Sequence, residues 1–172
     1  MLQDIAVETD ALVATLAQLG VRYLRTATSG QPLSEKPDFL IAALAQHPSP
    51  RLREALILLF LRQPQFAKYV PGVEARLRPA ARLTLRHFYT AAVYLQRLWQ
   101  GKLEMYLGLL PLLPDYFGQS EWNLPAPTEH YGEAGLRGLA EHFRAETGDN
   151  WLNSYQTAMS LFLHQLRLEA ND

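Results

Sequence analysis

The chain has no cysteine among its 172 residues, which excludes a disulfide framework, a thiolate zinc site and a cysteine nucleophile. It also has no long apolar run, because the longest, residues 55–61, is enclosed by Glu54 and Arg62. A membrane-spanning helix needs about 20 apolar residues, so this run predicts a buried core helix instead. The first ten residues carry three acids and no base, unlike the basic start of a secretory signal. These absences together predict a cytoplasmic protein that is not an integral membrane protein.

The sequence motifs of several enzyme classes are absent as well. There is no G-x-G-x-x-G, P-loop, G-x-S-x-G or H-E-x-x-H pattern, so dinucleotide, nucleoside triphosphate, hydrolase and zinc-protease chemistry have no support. Acidic and histidine residues cluster near 129–133 and at His142 and Glu146, but their polar neighbours are typical of ordinary surface. We therefore predict no metal site and no cofactor.

Apolar residues recur at helical spacing from one end of the chain to the other, and no segment alternates as a strand would. The fold class predicted is all-α, with residues 1–172 forming a single-domain irregular bundle of about six or seven helices. Residues 26–36 and 118–132 are rich in loop-forming residues. The second segment is long, and loops of that length are often functional or mobile.

Two helices are predicted to form the core. One covers residues 50–63, with Ser49 as N-cap and Pro50 in the first turn, and the other covers residues 79–99. Leu58 and Leu95 lie in the middle of these helices and are expected to be buried.

The charges are unevenly distributed along the chain. Residues 51–102 carry eight arginines and two lysines against two glutamates, a net charge of +8, whereas residues 103–172 carry a net charge of −7. A basic segment can bind phosphate, but an acidic segment of the same chain can also neutralise it. Nucleic-acid binding through residues 51–102 is therefore one alternative, although the overall pI of about 6.5 does not favour it.

An arginine stripe, Arg78, Arg82 and Arg86, is predicted along one face of the helix that begins at residue 79. Like charges four residues apart repel one another unless an acid or an anion lies beside them. Glu74, one turn earlier, supplies some compensation. The remainder would come from the acidic C-terminal part of the chain, with Glu133 and Glu141 as examples, or from an external anion or protein partner.

Arg82 and His87 are separated by four residues, a spacing that resembles the R-x4-6-H motif of HEPN-domain ribonucleases, which are small helical bundles. The resemblance covers these two positions and the fold class. It implies that Arg82 would stabilise a phosphate and that His87 would move a proton during attack by an RNA 2′-hydroxyl. Residues five apart on a helix point about 140° apart, so the pair would have to converge at a groove edge or across a dimer.

Four aromatic residues surround the proline-containing loop: Tyr116, Phe117, Trp122 and Tyr131. They either fold back over the core or form an interface, since exposed aromatic side chains bury a large area on binding at small entropic cost. The leading prediction is a non-catalytic, accessory or regulatory module. It would bind a protein partner, or itself, through these aromatic residues and the arginine stripe. The catalytic alternative is a HEPN-like ribonuclease that uses Arg82 and His87.

Overall fold

The computed structural model describes residues 2–22 and 36–172. The chain folds into an irregular all-α bundle around one hydrophobic core, as the sequence predicts. The helices are α1 (Leu2–Gln18), α2 (Pro37–Gln46), α3 (Pro50–Arg62), α4 (Val70–Arg76), α5 (Pro79–Leu98), α6 (Gln100–Leu107), α7 (Gly118–Trp122), α8 (Glu133–Thr147) and α9 (Trp151–Ala170). A first 3-10 turn covers Pro64–Tyr69, and a second covers Glu129–Gly132. Within the described ranges, every helix is too short or too polar to span a lipid bilayer.

Helix α5 lies at the centre of the bundle. It packs most extensively against α3 and also contacts α2, α4, α6, α8 and α9. Pro79 occupies its first turn, a position that suits a residue without a backbone N–H. Residues 87–96 are buried on every side of the helix. Because α5 is surrounded, side chains on its different faces reach different helices.

The predicted core is confirmed. Residues 55–61 of α3 are all buried, and Leu58 and Leu95 are both completely inaccessible to solvent. Phe60 of α3 meets Tyr89 of α5 edge to face, with ring centroids 4.9 Å apart. Ser49 precedes α3 as predicted, but its side chain makes no capping hydrogen bond.

The predicted count of six or seven helices is too low, because the described residues form nine α-helices. Helix α5 ends where the sequence predicts, because the chain breaks at Trp99, whose φ of −109° and ψ of 16° are not helical. The count is too low in part because residues 118–132 are not a continuous loop. They contain α7 and the second 3-10 turn. Helix α7 is started by Asp115, whose carboxylate accepts hydrogen bonds from the N–H groups of Gly118 and Gln119.

The ends of the chain agree with the sequence patterns where the structure describes them. Leu12 and Leu16 of α1 are four residues apart, as helical spacing of apolar residues requires, and both are buried. The side chain of Asn150 accepts a hydrogen bond from the N–H of Asn153 and so caps α9. Of the loop predicted at residues 26–36, only Lys36 falls within the described residues.

Candidate functional site

His87 is buried in the aromatic part of the core. It is 4 % exposed, and its ring stacks on Phe143 with the ring centroids 3.7 Å apart. Its Nε2 shares a hydrogen bond with the hydroxyl of Tyr155. Burial, and to a smaller extent the charge of His142, lowers the pKa of His87 to about 3. The imidazole is therefore neutral at neutral pH, and its contacts are those of a structural histidine.

Arg82 caps the end of α4. Its guanidinium donates hydrogen bonds to the backbone carbonyls of Glu74 and Leu77, both at 3.2 Å, and to that of Ala75 at 3.5 Å. The last carbonyls of a helix have no partner within the helix, so a cation there both satisfies and stabilises them. The donors of Arg82 are thus used to hold α4 against α5.

Arg82 and His87 are directed to different neighbours, as the angle between their positions on α5 predicts. Arg82 contacts α4, whereas His87 contacts Phe143 of α8 and Tyr155 of α9. Within this chain, the two side chains do not share a groove. Their contacts lend no support to a joint role at one phosphate.

Arg86, the third member of the arginine stripe, is paired within the fold. Its guanidinium lies 2.5 Å from a carboxylate oxygen of Glu74 and 3.1 Å from one of Glu121. Glu74 also lies 3.6 Å from Arg82, so its one carboxylate is shared by two arginines of the stripe. Glu133, which we named as an example of an internal partner, pairs with Arg137 instead. Arg78 is exposed.

Three of the four loop aromatic residues pack onto the core. Phe117 is buried, and Tyr116 stacks on Tyr89 with ring centroids 5.4 Å apart. Trp122 meets Phe143 edge to face, with the centroids at 5.5 Å. The fourth, Tyr131, is 79 % exposed. Of these four predicted contact residues, Tyr131 is the one whose ring is mostly available to a partner.

Tyr131 owes its exposure to an unusual turn. His130 and Tyr131 have φ values of 47° and 55°, in the left-handed region that is unfavourable for residues other than glycine. Gly132 follows, and a Cβ atom there would lie 2.6 Å from the carbonyl oxygen of Tyr94. Gly132 thus allows the backbone to lie directly on α5, and the turn before it presents Tyr131 to solvent.

A leucine-rich segment after α6 is also exposed. Leu109 is 91 % exposed and Leu112 is 51 % exposed, whereas Leu113 is completely buried. Buried side chains of α5 fix the backbone here. Gln96 donates from Nε2 to the carbonyl of Pro111 at 2.9 Å and accepts from the N–H of Leu113 at 2.7 Å.

Arg97 lies between this segment and the turn that carries Tyr131. Its Nη2 donates to the carbonyl of Leu113 at 3.3 Å, and its Cβ borders Gly132. Both segments therefore pack against the C-terminal end of α5. We call Leu109, Leu112 and Tyr131 the leucine–tyrosine surface. The sequence analysis named Tyr131 as a candidate contact residue but did not name the two leucines. The sequence feature that could have pointed to them is a run of apolar residues interrupted by Pro111 and Pro114.

Comparisons with protein-family models, with curated proteins and with solved structures gave no significant match.

Proposed function

We propose that this chain is a non-catalytic interaction module that binds a protein partner through the leucine–tyrosine surface. The observation that carries the proposal is the exposure of Leu109 and Leu112 on a backbone that is fixed from within the core. Clustered apolar side chains that remain in contact with water often mark sites of protein association, because burying them is favourable.

The rigidity of the segment supports the proposal. Gln96 holds its backbone by hydrogen bonds to Pro111 and Leu113, and Tyr89 donates from its hydroxyl to the carbonyl of Pro114 at 2.6 Å. A surface that is already ordered loses less conformational entropy on binding than a flexible one. Tyr131 adds an aromatic side chain, a residue type that frequently contributes to interface affinity.

The arginine stripe has a smaller part in this proposal than the sequence predicts. Arg82 and Arg86 already donate to carbonyl or carboxylate oxygens of the fold, so a partner would have to compete with these contacts. Arg78 is exposed and remains a predicted partner contact. The apolar character of the leucine–tyrosine surface favours a protein that offers an apolar groove over a nucleic acid, which is bound mainly through its phosphates.

The test compares two pairs of exposed leucines. A partner is first recovered from native lysate and purified, and its affinity for the isolated chain is measured. We expect Leu109→Ser with Leu112→Ser to weaken the complex at least about tenfold, the equivalent of about 1.4 kcal/mol. Leu161→Ser with Leu168→Ser replaces exposed leucines of α9 and should leave the affinity unchanged. Equal losses in both double variants, or none in the first, would contradict the proposal.

The same preparations address the other hypotheses. Light scattering of the pure chain detects self-association, and a dimer that the Leu109 and Leu112 changes abolish would identify a second copy as the occupant. RNA cleavage that disappears in His87→Ala, in a variant that remains folded, would replace the interaction module by the ribonuclease alternative. Salt-sensitive RNA binding without cleavage would favour a nucleic-acid binder.

A further inference from the structure

A cleft of about 200 Å³ opens where α3, α5, α8 and the start of α9 meet. It is distinct from the leucine–tyrosine surface and shares no residue with it. Aromatic side chains contributed by three different helices form much of its wall: Phe88, Phe143 and Trp151, with His87 beside them. This volume suits one aromatic ring with a short substituent.

Most polar side chains around the cleft already have partners within the fold. Arg53 donates from Nη1 to the backbone carbonyls of His47 and Pro48, both at 2.8 Å. Thr84 donates from its hydroxyl to the carbonyl of Ala80, and the indole N–H of Trp151 donates to Thr147. These groups are therefore not available as strong donors to an anionic ligand.

Glu54 is the exception among the acidic side chains of the cleft. Its side chain is partly buried, and it makes no hydrogen bond or ion pair with any of the residues that the structure describes. Burial raises the pKa of Glu54, and the nearby charges of Arg53 and Arg51 oppose that rise only in part. A partly buried carboxylate without a hydrogen-bond donor is unfavourable, and a bound cation would supply the missing interaction.

A second carboxylate, that of Glu146, lies at the exposed rim of the same cleft. It is 3.5 Å from His142, which balances its charge only when that imidazole is protonated. The two carboxylates thus favour a cationic ligand, and the aromatic rings offer an apolar wall for its body.

We propose that this cleft binds a small organic cation, with a protonated amine at Glu54 and an apolar body against Trp151 and Phe88. The ammonium would donate hydrogen bonds to the Glu54 carboxylate, and the body would displace water from the aromatic wall. The proposal is independent of the interaction module, since a chain without a protein partner could still bind an amine here.

Two probes of nearly equal shape test it. 2-Phenylethylamine is cationic at neutral pH, whereas 2-phenylethanol is neutral. Each is titrated into the full chain while the indole N–H signal of Trp151 is followed by nitrogen-15 NMR, with Trp151→Phe used to assign the signal. We expect the amine to bind about tenfold more tightly than the alcohol, because its ammonium forms an ion pair with the Glu54 carboxylate that a neutral hydroxyl cannot form.

Glu54→Gln should abolish that preference, so that the amine and the alcohol bind with about equal affinity. Glu141→Gln, which changes an exposed carboxylate outside the cleft, should keep it. Equal affinities of the two probes for the unaltered chain would overturn the proposal without any variant. So would a preference that survives Glu54→Gln, or amine binding that shifts other signals and leaves that of Trp151 unchanged.

Discussion

His87 and Tyr155 share a hydrogen bond in the core although they are 68 positions apart in the chain. The bond joins α5 to α9, and Phe143 of α8 stacks on the same imidazole. Three helices therefore meet at His87. A polar pair in such surroundings stabilises the fold only while each member keeps its partner.

We predict that acid destabilises the protein through His87. The pKa of His87 is about 3 in the folded chain and about 6.5 in the unfolded chain, so the folded state binds fewer protons between these values. The contribution of His87 is complete above about pH 6.5 and is lost as the pH falls towards 3. Between pH 7 and pH 5, the free energy of unfolding should fall by about 2 kcal/mol more in the unaltered chain than in His87→Gln.

Urea unfolding at pH 7 and at pH 5 measures this difference. The exposed His130→Gln should behave like the unaltered chain, and identical slopes in all three proteins would contradict the prediction.

A double-mutant cycle should show coupling between His87 and Tyr155. Tyr155→Phe leaves a buried imidazole nitrogen without its partner, and His87→Phe does the same to the hydroxyl. Each change should cost about 1–3 kcal/mol. The double variant has two apolar rings and should lose less than the sum, with a coupling of about 0.5–3 kcal/mol. Urea unfolding at pH 8 gives the four free energies, and strictly additive losses would show that the hydrogen bond contributes little.

Glu74 should matter more to stability than Glu121, although both pair with Arg86. The Glu74 side chain is 15 % exposed and lies close to two arginines, whereas that of Glu121 is 41 % exposed. Glu74→Gln should cost about 1–2 kcal/mol, because it leaves partly buried guanidinium groups without a counter-charge. Glu121→Gln should cost less than about 1 kcal/mol, as is usual for exposed pairs. Thermal or urea unfolding of the two variants measures these losses of stability. Equal losses would mean that Glu74 contributes no more to stability than Glu121 does.

The core prediction can now be tested at positions known to be inaccessible. Leu58→Ala and Leu95→Ala should each lower the free energy of unfolding by about 2–5 kcal/mol, since each leaves a cavity between α3 and α5 and their neighbours. Leu83→Ala, at a partly exposed position of α5, is the matched control and should cost far less. Losses below about 1 kcal/mol at both core positions would be inconsistent with this packing.

The sequence by itself determined the fold class and the core. Helical spacing of apolar residues depends on neighbours along the chain, so residues 55–61 and Leu95 could be identified as buried without knowledge of their partners. Pro50 and Pro79 each favour the start of their own helix, and these two starts were predicted for the same reason. The short α7 lacks so clear a local signal, and it is one reason that the predicted helix count was wrong.

The roles of the candidate site residues were decided only by the tertiary structure. Arg82, Arg86 and His87 are polar residues at helical spacing, and nothing in that spacing says whether their partners are internal or external. The carbonyls of α4, the carboxylates of Glu74 and Glu121 and the hydroxyl of Tyr155 reach them only once the helices have packed. Likewise, Leu112 is exposed and Leu113 is buried because the side chain of Gln96 on α5 accepts a hydrogen bond from the N–H of Leu113. This contact joins residues 17 positions apart in the chain. Burial and hydrogen bonding depend on distances between elements remote in sequence, and the order of residues alone does not contain them.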